Sequence, residues 1–323
     1  MTIETNVEVG GLATFGVEAK AAALVRWRTA DDLRNLNEVP RPLKVVGGGS
    51  NLLFTGDFGG TLLLREGPAE MRRLSATRFD VDAHMVLDDF CAAVAEAGLR
   101  GAENLSGIPG TLGGALVQNA GAYGAETGSL LVDATLFDLQ TGRTLTVDRE
   151  WMEFAYRSSR LKTEGGRYVV LSARLELLPP SAAANVDYGN LRATLGDAEP
   201  TPEAVRRAVL ATRDSKLPDP ATVGSAGSFF RNPEVGAELL RPEMPRYDLG
   251  NGLYKVPAAW LIDQCGLKGT AVGGAAVWPL QPLVIVNADG RATAADVLEL
   301  EQTIVSAVER RFSITLIPEV EHL

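Results

Sequence analysis

Histidine is almost missing from this chain: among 323 residues only His84 and His322 occur. A metal site built on imidazoles is therefore not expected. Cysteine is equally scarce. Cys91 and Cys265 stand far apart and form no C-x-x-C pair, which argues against a disulfide framework or a zinc site and fits a reducing cytoplasm. Positive charge is in deficit, with 31 Lys and Arg against 41 Asp and Glu, a formal net charge of −10. No Lys/Arg block offsets that balance, so a nucleic-acid-binding surface is not expected. An anionic ligand would need local donors working against the global field. No apolar run approaches the ~18 residues of a membrane span, so no membrane association is expected. The opening MTIETNVEVGG lacks a basic stretch followed by an apolar one and does not read as a secretory signal. Repeats at a solenoid period are also missing.

What is present is an ordinary globular composition, 46% apolar and 22% charged, on a chain long enough for two or three domains. The first segment reads strand–helix–strand. AALVRWR (22–28) is strand-like, Thr29 with Asp32 suggests a cap for a helix over DDLRNLNE, and PLKVV (42–46) is a short buried strand. That strand runs into GGGSN (47–51), and TLLLRE (61–66) follows as another strand. Strands and turns dominate 67–180, with a helix near 88–97 that Asp88 could cap, Phe90, Val94 and Ala97 could stripe and Gly98 could end. RYVVLSARLELL (167–178) is the strongest strand signal, and PPSAAANVDYGN then reads as a loop or boundary. Thr201-Pro202 announces a helix. KLPDPATVGSAGSFFRNP (216–233) is expected to be irregular. Thr293 caps a helix whose face carries Val297, Leu300, Ile304 and Val308, and ITLIPEV (314–320) reads as a last strand.

The stretch GAENLSGIPGTLGGALVQNAGAYGAE (101–126) is rich in glycine and has no lysine or arginine. Successive backbone amides in a tight turn, or at a helix N-terminus, can bind a pyrophosphate without basic side chains. Pro109 would fix the approach, Gly110 would permit an unusual φ, and a short helix could start near Thr111. GGGSN would be a second amide-rich turn. Neither is the dinucleotide fingerprint G-x-G-x-x-G opening a long helix, nor the P-loop. Tight turns between sheet strands are the competing explanation. Chemistry alone stops at a dinucleotide-like phosphate ligand held by backbone.

Taken in order, GGGSN, ENLSGIPGTLGGALVQNAGAYGAE, AYRSSRLK, KLPDP, GSAGSFFRNP, AAWLIDQCGLKG, GGAAV and PEV resemble the UDP-N-acetylenolpyruvoylglucosamine reductase (MurB) family across nearly the whole chain. The resemblance implies an α+β protein with a two-part FAD-binding fold of the vanillyl-alcohol-oxidase (PCMH-like) type and a C-terminal α+β substrate domain. The expected division is 1–66 and 67–200 for FAD, 201–312 for substrate, and a tail, 313–323, packing back near the flavin. The implied cofactor is non-covalent FAD, since neither histidine lies in a glycine loop, and NADPH is the implied electron donor. The implied reaction is reduction of an enolpyruvyl ether on a UDP-sugar to a lactyl ether, for peptidoglycan.

By motif position the resemblance assigns Arg157 to the substrate carboxylate, Glu319 as its companion, and Ser228 as proton donor. FAD contacts would come from Gly47, Gly48, Gly49, Ser50, Asn51 and Leu52, from Ile108, Pro109, Gly110, Thr111, Gly113 and Gly114, from Asn119, Gly121, Ala122 and Gly124, and from Arg213. Lys216, Asn232 and Tyr188 would meet the substrate, with Gln264 at the nucleotide pocket. Tyr188 in VDYGNL together with KLPDP implies the long-loop (type I) subclass. Three departures stand out: Glu321 where Arg often stands two residues after the glutamate, Trp278 where a polar residue commonly follows GGAAV, and Gly48 where Glu or another residue is common. The rival readings are an FAD-dependent sugar or lactone oxidase of the same fold, and a non-enzymatic nucleotide-binding protein.

Overall fold

The computed structural model describes residues 1–323. The chain divides into two compact units. The first holds Met1–Val7, Ala21–Gly48 and Gly59–Ser215; the second holds Glu8–Lys20, Gly49–Phe58 and Lys216–Leu323.

The first unit contains two sheets. In one, the strands follow the order Thr2–Glu8, Lys20–Trp27, Phe58–Arg65, Leu43–Val46. The last two run parallel, with Leu43 opposite Thr61 and Val46 opposite Leu64. The other sheet is antiparallel, in the order Arg143–Asp148, Leu131–Asp138, Tyr168–Glu176, Arg78–Asp82, Met71–Arg73. Trp27, Leu43, Leu63, Phe137 and Val169 share one buried cluster. Each such side chain removed from water contributes about 1.5–3 kcal/mol.

Five helices belong to this unit: α1 (Leu87–Glu96), α2 (Leu112–Gln118), α3 (Arg160–Thr163), α4 (Leu191–Leu195) and α5 (Pro202–Asp214). Thr201 caps α5 as its sequence indicates, Oγ1 accepting from the Ala204 amide at 3.2 Å, with Pro202 in the first turn. In α1, Phe90 and Val94 are buried and Gly98 adopts φ +74, but Ala97 is exposed. Asp88 does not cap that helix. Its carboxylate instead pairs with Arg206 of α5 and accepts from the Gly107 amide at 2.6 Å. The stretch after Thr29 forms only a single 3-10 turn, Asp32–Asn35. The Asp32 carboxylate accepts from the amides of Arg28 and Thr29, which closes a turn there.

The expected substrate part began at 201, yet α5 lies in the first unit. The reason is packing: Val205, Ala208 and Val209 bury against Val186 and Leu191, and Arg206 is bound by Asp88.

The second unit carries an antiparallel sheet in the order Gly224–Ser228, Val284–Asn287, Ala275–Val277, Ala271–Val272, and a smaller one of Glu234–Gly236, Leu253–Lys255 and Tyr247–Asp248. Its helices are α6 (Ala258–Gln264) and α7 (Ala294–Phe312). Thr293 and Asp296 form a reciprocal capping box, and Val297, Leu300, Ile304 and Val308 are buried as one stripe. Two expectations change here. The segment 216–233 is not wholly irregular, because Gly224–Ser228 pairs with Val284–Asn287. Residues 314–320 do not form a regular strand. Ile314, Leu316 and Val320 are buried in the core, and pairing is limited to an isolated bridge of Pro318 with Phe230. No helix is long and apolar enough to cross a membrane.

Candidate active site

In the first unit the two glycine turns press on each other. A Cβ at Gly47 would lie 2.6 Å from Thr111 Oγ1, and one at Gly48 would lie 2.6 Å from the Gly110 Cα. Glycine at 48 is thus required by a backbone-to-backbone approach. Gly110 has φ +105, the freedom expected of it. Neither the Gly48 nor the Gly110 amide donates to a carbonyl of the chain.

The N-terminus of α2 differs from the expected amide cradle. Thr111 caps it as foreseen, but the Leu112 amide donates to Met85 O at 2.8 Å, the Gly113 amide to Ala83 O at 2.8 Å, and the Gly114 amide to Thr111 Oγ1 at 3.3 Å. These donors are already engaged. Gly113 is required by packing, since its Cβ would stand 3.0 Å from that of Ala83. Gly114 is exposed, and a Cβ there would meet only Thr111 Oγ1 at 3.6 Å. Ile108 closes a local turn, its amide donating to Leu105 O at 3.3 Å, and precedes Pro109.

Residues Gly121–Ala122 and Ala125–Glu126 form a tight hairpin. Its two loop residues, Tyr123 (φ 47) and Gly124 (φ 78), both take positive φ, the demand of a type I′ turn. Asn119 is buried as the left-handed cap of α2. Its Nδ2 donates to Glu126 Oε2 and to Ala155 O, both at 3.0 Å, and its Oδ1 accepts from the Gly128 amide at 3.0 Å. Expected beside FAD, the Asn119 carboxamide is instead occupied in holding the hairpin to the AYRSSR loop.

Arg157 sits in that loop, between Ala155 and Ser158, whose backbones bond reciprocally. It adopts φ 54, a conformation uncommon for any residue but glycine and found where geometry serves function. Its Nη2 donates to Gly121 O at 2.8 Å, and its guanidinium lies 5.4 Å from the Tyr156 ring centroid.

A second cluster of the first unit joins Tyr188, Tyr123 and Arg213. Tyr188, 49% exposed, meets Tyr123 edge-on at 6.2 Å between centroids. Asn104, buried, ties both segments by donating to Tyr123 O at 2.7 Å and Asn185 O at 2.9 Å. The Arg213 side chain crosses Gly107 so closely that a Cβ there would touch its Nε at 2.9 Å. Burial lowers the Arg213 guanidinium below its ordinary value, opposed by Tyr123, Asp214 and Asp88, and no carboxylate pairs with it. Asn104 and Tyr123 were missed by motif reasoning. The signal for Tyr123 was the Tyr-Gly pair between small residues, which reads as a hairpin.

In the second unit, Ser228 ends Gly224–Ser228 and is exposed, opposite Val284. The register shifts between Ser225 and Ser228, and Gly227 takes φ +69. A bulge of this kind re-aims the side chain that follows it. The C-terminal segment passes directly beside: the Glu319 amide donates to Phe229 O at 2.8 Å, and the Arg231 amide donates to Ile317 O at 3.0 Å. Half-buried Glu319 is thus opposite the residue next to Ser228. Asn51 and Leu52, expected beside FAD, support this segment. Asn51 Nδ2 donates to Glu319 O at 3.2 Å, and Leu52 pairs in parallel with Glu321. Gly49 takes φ +64, and a Cβ there would overlap the Leu12 carbonyl oxygen; Ser50 follows it.

Lys216 is exposed, and its carbonyl accepts from Trp278 Nε1 at 2.9 Å. Asn232 Oδ1 accepts from the Ala258 amide at 2.9 Å and so anchors the start of α6, leaving its NH₂ as the group to offer a ligand. Gln264 ends α6, and its carbonyl accepts from Arg311.

An FAD-binding domain family matches residues 21–148, which places the first unit among flavin-binding proteins. The C-terminal domain of UDP-N-acetylenolpyruvoylglucosamine reductase matches residues 219–323. The reductase of Azoarcus sp. is 41% identical over 342 residues, covering 99% of this chain and 97% of its own. That of Neisseria gonorrhoeae is 41% identical, covering 94% and 92%. The crystal structure of the reductase (MurB) from Thermus caldophilus aligns with a TM-score of 0.71 at 28% identity, over 100% of this chain and 99% of that one. The chain belongs to the UDP-N-acetylenolpyruvoylglucosamine reductase family. Its FAD-binding fold is of the expected α+β, PCMH-like class.

The first unit's residues fit FAD. Two turns approach so closely that side chains are barred at Gly47 and Gly48, and Arg213 offers an unpaired guanidinium to an anion.

Proposed function

We propose that this chain reduces UDP-N-acetylglucosamine enolpyruvate to UDP-N-acetylmuramate, a cytoplasmic step of peptidoglycan precursor synthesis, using FAD and NADPH. Near-full-length kinship at 41% identity carries the reaction, and the alternative of a sugar or lactone oxidase is not favoured. Bound FAD supplies two-electron chemistry, relaying reducing equivalents from NADPH to the double bond of the enolpyruvyl ether.

The residues then divide the remaining work. Hydride addition at C3 leaves negative charge at C2, next to a carboxylate. Arg157 is assigned to that carboxylate, where a preorganised guanidinium stabilises charge as it develops. Glu319 assists there. Ser228 delivers the proton to C2; a hydroxyl is a weak acid, but the carbanion is a strong base, so a well-placed weak acid suffices. The supporting observation is the pairing of 317–319 with 229–231, which brings the Glu319 backbone alongside the Ser228 strand end. Lys216, Asn232 and Tyr188 are assigned to the diphosphate and Gln264 to the nucleotide. Gly47, Gly48, Gly110 and Arg213 are assigned to FAD, with Gly114 offering open backbone beside them and Gly121, Ala122 and Gly124 shaping the adjoining hairpin. Tyr188 and the KLPDP segment support the long-loop subclass.

The experiment is anaerobic spectrophotometry of the purified holoenzyme. NADPH should bleach the flavin bands and the enolpyruvyl substrate should restore them. A reduced protein that ignores this substrate and reacts rapidly with O₂ in the presence of a sugar would establish the oxidase instead.

A further inference from the structure

Trp278 has no part in the reaction as assigned, yet the structure gives its indole one specific task. It is half-buried just beyond Ala275–Val277, and its own amide donates to Val284 O at 2.8 Å, which fixes its backbone in the sheet. From that anchored position the indole N–H donates to the Lys216 carbonyl at 2.9 Å. Lys216 opens the proline-rich segment after α5; its side chain is exposed and joins no ion pair of the molecule. A tryptophan at a wet surface is stable when its apolar body packs and its single donor finds an acceptor. Here that acceptor is the main chain of the residue assigned to the diphosphate.

We propose that Trp278 is a positioning residue for recognition of the substrate's diphosphate: its indole N–H pins the Lys216 backbone and thereby presents the ammonium to the phosphates. This rests on the assignment of Lys216 to the diphosphate. A lysine is a point charge on a flexible stem, so the lever the protein has over it is the placement of its backbone. The competing role for Trp278 is ring stacking on the uracil of the substrate or on nicotinamide. The two differ in what Phe does, because Phe keeps the ring and loses the donor.

The test is calorimetric titration of the FAD-loaded enzyme with UDP, using Trp278→Phe, Lys216→Ala and the double variant. Loss of one neutral hydrogen bond should weaken UDP binding about three- to tenfold in Trp278→Phe. In the Lys216→Ala background the same change should have no further effect, since the tryptophan acts through the lysine. With substrate, Trp278→Phe should raise KM and leave kcat close to the wild-type value. Wild-type affinity in Trp278→Phe overturns the proposal. So does an equal loss in both backgrounds, which would mean that the indole N–H acts independently of the lysine. Unchanged UDP affinity in Lys216→Ala would instead remove the lysine assignment on which the proposal stands.

Discussion

At the scale of single residues, Arg213 and Lys216 are set apart from the paired cations of the chain. Most arginines of the chain are paired: Arg65 with Asp82, Arg167 with Asp138, Arg206 with Asp88. Arg213 is desolvated without such a partner, and Lys216 projects free. A charge-assisted contact to phosphate contributes roughly 1.5–3 kcal/mol. Lys216→Ala should therefore raise the substrate dissociation constant by one to two decades while the bound substrate still reacts. Tyr188→Phe should weaken binding by less, since it removes one hydroxyl from an exposed ring. Equilibrium titration checks both, and unchanged affinity in both would show that other residues grip the diphosphate. Arg157 adds a different lesson. Its motif is readable in AYRSSRLK, but its positive φ is set by the reciprocal Ala155–Ser158 bonds and by Asn119, 36 residues from Ala155. No local pattern announces that conformation.

At the scale of elements, local signals were legible and long-range ones were not. Thr201 and Thr293 cap their helices, and the stripe of α7 is buried, because each depends on neighbours within a few positions. Asp88 reads locally as a cap, but its partner, Arg206, lies 118 residues away. The glycines divide in the same way. Composition marked the stretch, but only the fold shows Gly113 against Ala83, Gly48 against Gly110 and Gly114 open. Gly48→Ala should destabilise the protein by about 1–3 kcal/mol, as overpacking does. Gly114→Ala should fold with wild-type stability, and Gly114→Val should fold but hold less FAD. Denaturant melts and flavin absorbance check these; full FAD occupancy in Gly114→Val would remove Gly114 from the cofactor site.

The Asp88–Arg206 pair gives a pH test of the α1–α5 contact. The Arg206 hydrogen bond, helped by the Gly107 amide, holds the Asp88 carboxyl below its ordinary value. A depressed folded value means stability that is present above the unfolded pKa of about 3.9 and lost as pH falls through the folded one. Asp88→Asn should cost about 1.5–3 kcal/mol at pH 7, and the gap to wild type should close on acidification below about pH 4. A pH-independent gap would mean that packing, not charge, joins the two helices.

At the scale of the whole molecule, an FAD-binding match at 21–148 and a reductase match at 219–323 lie on one chain. The family was legible because its motifs are long and ordered. The division into units was less so, because Glu8–Lys20 and Gly49–Phe58 leave their sequence neighbours to join the second unit, and α5 stays with the first. Reduction by NADPH and reduction of the enolpyruvyl ether are separate half-reactions in the proposed function, and Ser228 is assigned only to the second. Anaerobic stopped-flow absorbance of Ser228→Ala holoenzyme measures both. The expected result is flavin bleaching by NADPH at close to the wild-type rate, intact binding of the enolpyruvyl substrate, and reoxidation by that substrate slowed by many decades, with partial recovery in Ser228→Cys, whose thiol is the stronger acid. Equal slowing of both half-reactions in Ser228→Ala would contradict it.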